Sequence, residues 1–154
     1  MVRLSDLTHA ERDHLLAKAC EPFESSPWVT PPALKDARIA LVTSAGLHRV
    51  DDTAFAMHDV SYRVIPSDVE VSSLTMTHSS VHFDRQGFRE DINTVLPLEP
   101  LKDLARNGEI GSVAAYHYSF MGAGWLPQEV ESSVDDLAQH LKADRVDAVC
   151  VIPV

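Results

Sequence analysis

Basic residues are scarce in this chain: 13 Lys and Arg stand against 23 Asp and Glu, a formal net charge of -10. Such a surface repels phosphate backbones and anionic lipid headgroups, which argues against nucleic-acid and membrane partners and leaves a small substrate open. Cysteine is scarcer still, with only Cys20 and Cys150, in no C-x-x-C spacing. A disulfide framework is therefore not expected, and a reducing compartment fits. No run approaches the ~20 apolar residues needed to span a bilayer. The first sixteen residues scatter charges through the segment and lack an apolar h-region, so they do not read as a signal peptide. A cytoplasmic protein is the expectation. Glycine is also sparse, and Ser119-Phe-Met-Gly-Ala-Gly124 lacks both the Gly-Lys-Ser ending of a phosphate loop and a full G-x-G-x-x-G, which leaves a nucleotide cofactor without support.

What is present is the pattern of a folded domain. With 154 residues there is room for one sizeable core. Residues 1–30 read as an N-terminal helix and linker. Thr8 and Glu11 form a capping box, Leu15, Leu16 and Ala19 share a stripe, and the Pro-containing segment from Pro22 ends the helix, with Trp28 expected to pack the linker onto the domain. Residues 31–154 read as the domain proper. Arg38–Thr43 is apolar on both alternating sets, as a strand covered on both faces would be, and Gly46 lets the backbone turn at its end. Residues 47–60 show no period and are expected as loop. Residues 62–65 and 69–77 follow as strands, and 79–93 as a polar loop long enough to suggest function. A helix is predicted over Leu98–Gly108, with Pro100 near its start and Gly108 at C′. Strand 111–118, a glycine-rich turn to Pro127, a helix over 130–142 and strand 146–152 complete the chain. Apolar strands separated by helices predict an α/β fold, with a mainly parallel sheet flanked by helices in three layers. The last strand ends at Val154, where such a sheet usually continues into a covering helix. The layer is therefore expected to be incomplete at the C-terminus, with apolar surface open to self-association as a homo-oligomer.

Ligands in open α/β sheets sit outside the carboxyl ends of the strands. Ser44 and Gly46 follow the first strand and can present backbone amides to an anion. His78, His82 and Asp84 lie within seven residues of one another in the polar loop, and His117 on a later strand. In a pocket these groups could orient a carboxylate or move a proton, since histidine titrates near neutrality. As loop residues they would only hydrogen-bond locally, the favoured reading for His82. Asp91 and Asn93 suit a turn cap. Phe55, Phe83 and Phe120 fit a pocket wall, the core or a partner contact equally. No H-E-x-x-H and no cysteine pair is present, and His78-x-x-x-His82 falls on a strand-to-loop segment that does not put both rings on one face, so no metal site is expected. Cys150, inside an apolar strand, is expected to act as a small hydrophobe.

Several segments carry a resemblance to a known family: Glu90–Leu104, Gly108–Val113, Tyr116–Gly122 and Leu141–Val149, with Ile65–Asp68 and Thr77–Arg85 also fitting. In order and spacing they resemble the B subunit of D-proline reductase and, more distantly, that of glycine, sarcosine and betaine reductase, from about Ala37 onward. The resemblance implies an oxidoreductase subunit that cleaves a C–N bond of D-proline, glycine, betaine or a related amine reductively, with a dithiol donor. It implies a selenocysteine, or a cysteine, just after the strand that ends here in Val-Ile-Pro-Val. It also implies a partner subunit whose pyruvoyl group captures the amine; no cofactor is expected in this chain itself. A selenolate suits the step because the nucleophile must be ionised at neutral pH. The redox residue is absent from these 154 residues, either because an in-frame UGA codon was read as a stop or because the chain is a fragment or a degenerate paralogue, and the chain alone is expected to be inactive. Under this resemblance His78 and His117 are the catalytic candidates, and Ser44, Gly46, His82, Asp84, Ser119 and Met121 the substrate-binding ones. Two other readings stand beside it: a non-catalytic binding or partner subunit of the same fold, and a small metal-dependent hydrolase built on the histidines.

Overall fold

The computed structural model describes residues 3–17, 29–80, 85–123 and 125–154. Cys20, Pro22, Trp28, His82, Phe83 and Asp84 lie outside the described residues, and with them the packing expected of Trp28.

Near the N-terminus, α1 (His9–Leu16) starts as the sequence predicts: the Thr8 hydroxyl accepts the Glu11 amide, and the Glu11 carboxylate accepts the Thr8 amide at 3.0 Å. Of its apolar stripe Ala19 lies outside the described residues, and Leu15 and Leu16 are not buried, Leu16 remaining 64% exposed.

The centre of the domain is β1 (Arg38–Thr43), which has strands on both sides. On one side runs β7 (Ala148–Ile152), parallel from Ile39↔Ala148 to Thr43↔Ile152. On the other lie β5 (Ser112–Val113) and β6 (Tyr116–Phe120), also parallel, with β3 (Tyr62–Pro66) antiparallel beyond β6. The expected α/β architecture with a mainly parallel sheet is thus present; the sheet is mixed and curls as a half-barrel. A second, two-stranded antiparallel sheet joins β2 (Leu47–Arg49) to β4 (Leu74–Met76).

Register assigns the faces. Ile39, Leu41 and Thr43 share one with Ile65, His117, Ser119 and Cys150. Val42, Tyr118, Phe120, Val149 and Val151 share the other. The first face meets the small sheet and α3 (Leu98–Arg106) in a core of Ile39, Leu41, Leu47, Ile65, Leu96 and Leu101. The second is covered by α4 (Pro127–Ala143), whose Val130 and Leu137 pack on Tyr118 and Phe120. Each such side chain stabilises the fold by roughly 1.5–3 kcal/mol when fully buried.

Several expectations are corrected in detail. Within the stretch read as loop, Leu47–Arg49 pairs as β2, because Leu47 is needed in the core. Of 69–77 only Leu74–Met76 is strand, the residues before it forming a short 3-10 turn. Among its described residues the polar loop contains a short helix, α2 (Gln86–Glu90), and the start of a 3-10 turn over Ile92–Thr94. The last helix begins at Pro127, since proline at the first helical position loses no hydrogen bond and the Glu129 carboxylate accepts the Leu126 amide at 2.5 Å. By contrast, α3 and its left-handed Gly108 (φ +73°) match the sequence reading.

The strand expected over 111–118 is broken. Arg38 faces Ser112 while Val42 faces Tyr118, so four steps along β1 correspond to six along its neighbour. The two extra residues form a bulge at Ala114–Ala115. The Ala115 amide is taken by the Asp144 carboxylate at 2.7 Å and its carbonyl by the Ser67 amide at 2.9 Å. Asp144 also pairs with Arg38 at 2.5 Å, tying the amino ends of β1 and β5 to the end of α4. Burial opposes ionisation of that carboxyl, but the bonds from Arg38 and Ala115 outweigh it and hold its pKa below the usual carboxylate value.

Candidate functional site

The carboxyl edge of the sheet is built by the ends of β1, β6 and β7 and by the segment leaving β4. Three backbone crossings fix it. The Gly46 amide bonds the Phe120 carbonyl at 2.8 Å, the Gly122 amide bonds the Ser44 carbonyl at 2.9 Å, and the Thr77 amide bonds the Gly46 carbonyl at 2.9 Å. Gly46 sits at φ +69°, and a Cβ there would stand 2.5 Å from the Thr77 carbonyl oxygen, so only glycine fits.

Five of the residues predicted from sequence converge here. Ser44, Gly46, Ser119 and Met121 lie on the crossing strands, and His78 directly follows Thr77. Their chemistry differs from the expectation in several respects. The amides of residues 44–46 are not open to an anion: Ser44 donates to the Ile152 carbonyl, Ala45 to the Thr43 hydroxyl and Gly46 to Phe120. Ser119 is fully buried, and its hydroxyl accepts the Leu47 amide at 2.8 Å, linking the two sheets. Met121 is also buried, with its sulfur accepting the Ser79 hydroxyl at 3.1 Å.

The two histidines are held differently. His78 is buried, its Nδ1 accepts the Ser80 amide at 3.2 Å, and its carbonyl accepts the Arg85 guanidinium. Burial, then the Arg85 charge, lowers its pKa below 6.5, so the ring is neutral at pH 7, and with Nδ1 accepting from Ser80 its proton lies on Nε2. His117 lies deeper, on β6 beneath the edge, with no exposure. Its Nδ1 accepts the Leu41 amide at 3.0 Å, filling the rung that the bulge removes from the β1–β6 ladder. That bond places the proton on Nε2, which is buried and has no hydrogen-bond partner among the described residues. Burial, aided by the Lys102 charge and opposed by that of Asp144, pushes the imidazole pKa down to about 4.

On the α4 side of the edge lies a half-open cavity of about 190 Å³ with an almost wholly apolar lining that includes Val42, Ser44, Phe120, Val151 and Pro153. Trp125 walls it, held by its indole N–H on the Met121 carbonyl at 2.6 Å. Phe120 thus serves both core and cavity, whereas Phe55 is a platform elsewhere: the Arg63 guanidinium stacks 4.2 Å above it. Cys150 is exposed rather than buried, because nothing among the described residues covers β7 on its outer side.

Sequence reasoning missed Ser79, Arg85, Trp125 and His48. His48 is buried, gives its Nδ1 proton to the Arg49 carbonyl at 2.8 Å and meets the Thr77 hydroxyl through Nε2 at 2.8 Å, bracing the segment that carries His78. A lone histidine before an arginine carries no sequence signal for that role. Among the described residues no three His, Cys, Asp or Glu side chains come together as a metal-binding group. No helix among them is long and apolar enough to cross a membrane.

Fold and edge together define a mixed α/β domain of the kind that gathers its chemistry at the carboxyl ends of parallel strands. Comparison with known proteins makes that class specific. The model of the glycine/sarcosine/betaine reductase selenoprotein B family matches residues 21–153, and the chain belongs to this family. It is 35% identical over 150 residues to a D-proline reductase subunit gamma of Acetoanaerobium sticklandii, an alignment spanning 95% of this chain and 60% of that protein. It is 30% identical over 138 residues to a glycine reductase complex component B subunit gamma of Peptoclostridium acidaminophilum, covering 83% of this chain and 31% of the relative. A betaine reductase complex component B subunit beta of the same organism is 30% identical over 125 residues, covering 75% and 28%. The chain therefore spans 60% of the first of these relatives and less than a third of the other two. No solved structure shows significant similarity to it.

Proposed function

We propose that the chain is part of a selenoprotein-B-type amino-acid reductase, in which it joins a partner subunit and forms one wall of the site where a C–N bond of D-proline, glycine, betaine or a related amine is cleaved with a dithiol donor. The observation that carries this reading is the family match across residues 21–153, combined with the convergence of Ser44, Gly46, His78, Ser119 and Met121 at the carboxyl edge. The selenium or sulfur nucleophile would follow Val154, and the pyruvoyl group belongs to the partner. This chain's own residues bind and position. His78, neutral at pH 7 with Nδ1 taken by the Ser80 amide, offers its Nε2 proton as a hydrogen-bond donor at the edge, and His82 and Asp84, outside the described residues, are the carboxylate- or amine-binding candidates from sequence. His117, Ser119 and Gly46 fix the strands from which the site is made.

The DNA after the Val154 codon tests this. An in-frame UGA or cysteine codon followed by further coding sequence is expected; a frame-broken or unrelated sequence would remove the reading. A second reading, a non-catalytic subunit of the same fold, is favoured by one observation: His117 Nδ1 and the Ser119 hydroxyl already satisfy backbone amides inside the sheet. Dithiol-dependent amine cleavage by the extended chain with its partner separates the two.

A further inference from the structure

In a parallel ladder a residue that donates its amide to one neighbour accepts, through its carbonyl, the amide two residues further along. Ser44 donates to the Ile152 carbonyl at 3.1 Å, so its carbonyl should receive the Val154 amide. It does not, because that carbonyl has turned away to the Gly122 amide at 2.9 Å. The Ser44 hydroxyl stands in: it accepts the Val154 amide at 2.8 Å, and its own proton points toward the Val154 carbonyl at 3.4 Å. The side chain thus adds one rung to the β1–β7 ladder after the backbone has diverged. Gly122 makes room for it, since a Cβ at that position would lie 2.6 Å from Ser44 Cβ and 2.8 Å from its hydroxyl oxygen. The Val154 side chain packs against the core on the His117 face, while Pro153 lines the apolar cavity on the other.

We propose that Ser44 is a positioning residue, backed by Gly122, whose hydroxyl fixes the direction in which the polypeptide leaves β7. Val154 is thereby held at the carboxyl edge, beside the apolar cavity that Pro153 lines. Serine is required for a geometric reason: its oxygen is one bond from Cβ, short enough to mimic a main-chain acceptor beside the strand. Threonine keeps that oxygen; alanine removes it. That this clamp aims a redox residue rests on the reductase reading; the clamp itself does not.

Two measurements test it, neither requiring reductase activity. In the full chain, hydrogen exchange followed by NMR should show the Val154 amide protected. In Ser44→Ala it should exchange roughly fivefold faster, in keeping with the loss of one hydrogen bond, while the Leu41 and Val42 amides stay protected. Gly122→Ala should reproduce the effect, and Ser44→Thr should restore protection. In the full chain extended by a single cysteine after Val154, iodoacetamide should alkylate the added thiol severalfold more slowly than it does a short unstructured peptide with the same ending, and with a displaced pH profile. Ser44→Ala should move rate and profile toward those of the peptide, and Ser44→Thr should not. An unprotected Val154 amide in the native chain, or an added thiol that behaves as in the free peptide, would overturn the proposal. A clamp confirmed beside an absent reductase activity would count against the functional reading alone.

Discussion

Lowering the pH from 7 to 5 is expected to remove folding stability through His117, and a His117→Asn variant should be spared that part of the loss. The imidazole is fully buried, and its pKa falls from 6.5 to about 4, first through burial and then through the Lys102 charge. An unfolded chain takes up this proton near pH 6.5 and the folded chain only near 4. The unfolded state therefore binds more protons in between, and stability that is whole above pH 6.5 drains away as the pH falls toward 4. At ~1.4 kcal/mol per pH unit the gap corresponds to on the order of 3 kcal/mol. By pH 5, about 2 kcal/mol of it should be gone. Carboxylates enter later, since Asp59 and Asp144 are both held below 3.8. His78 shifts in the same direction as His117, but it is common to both proteins and cancels in their difference. Asparagine suits the test because its side-chain oxygen can still accept the Leu41 amide, which leucine would leave buried and unpaired for about 1–3 kcal/mol. Urea unfolding of both proteins at pH 7 and pH 5 gives the comparison. Equal losses in the two would refute the reasoning, as would an NMR titration of His117 in the native chain with a midpoint near 6.5.

Gly46→Ala should destabilise the fold by about 2–4 kcal/mol in the same assay, since it combines a left-handed backbone with a Cβ driven into the Thr77 carbonyl. A loss under 1 kcal/mol would mean the crossing at Gly46 is loose. Val151 is 67% exposed on an edge strand next to the half-exposed Val149, so the chain should self-associate at high concentration. Light scattering should find oligomers of the native chain and monomers of Val151→Asp; a native monomer would contradict the expectation.

How much of this was legible in the sequence follows from which forces act locally. β1 and β7 announce themselves as short apolar runs, and α3 by its proline and its C′ glycine, because strand burial and helix ends depend on neighbours in the chain. The bulge between β5 and β6 leaves no such trace: it exists because Asp144 and Ser67, distant in sequence, take the polar groups of Ala115. β2 was missed because three residues are too few to show a period, and His48 because its burial depends on Thr77 and Phe55. The candidate site was legible as a set of residues at strand ends, since the carboxyl edge of a parallel sheet is where chemistry collects. The work each side chain does was not. Ser119 and His117 read as polar groups for a ligand, yet each completes a hydrogen bond that the backbone had left open.

The most direct measurement of the proposed function is turnover by a reconstituted complex: the chain extended through a redox residue, mixed with a partner subunit and a dithiol, and assayed for cleavage of D-proline, glycine and betaine. One of these amines should be reduced, with turnover lowered at least tenfold by His78→Ala while the complex still forms. An intact complex that reduces none of them, or whose rate ignores the loss of His78, would contradict the placement of chemistry at this edge.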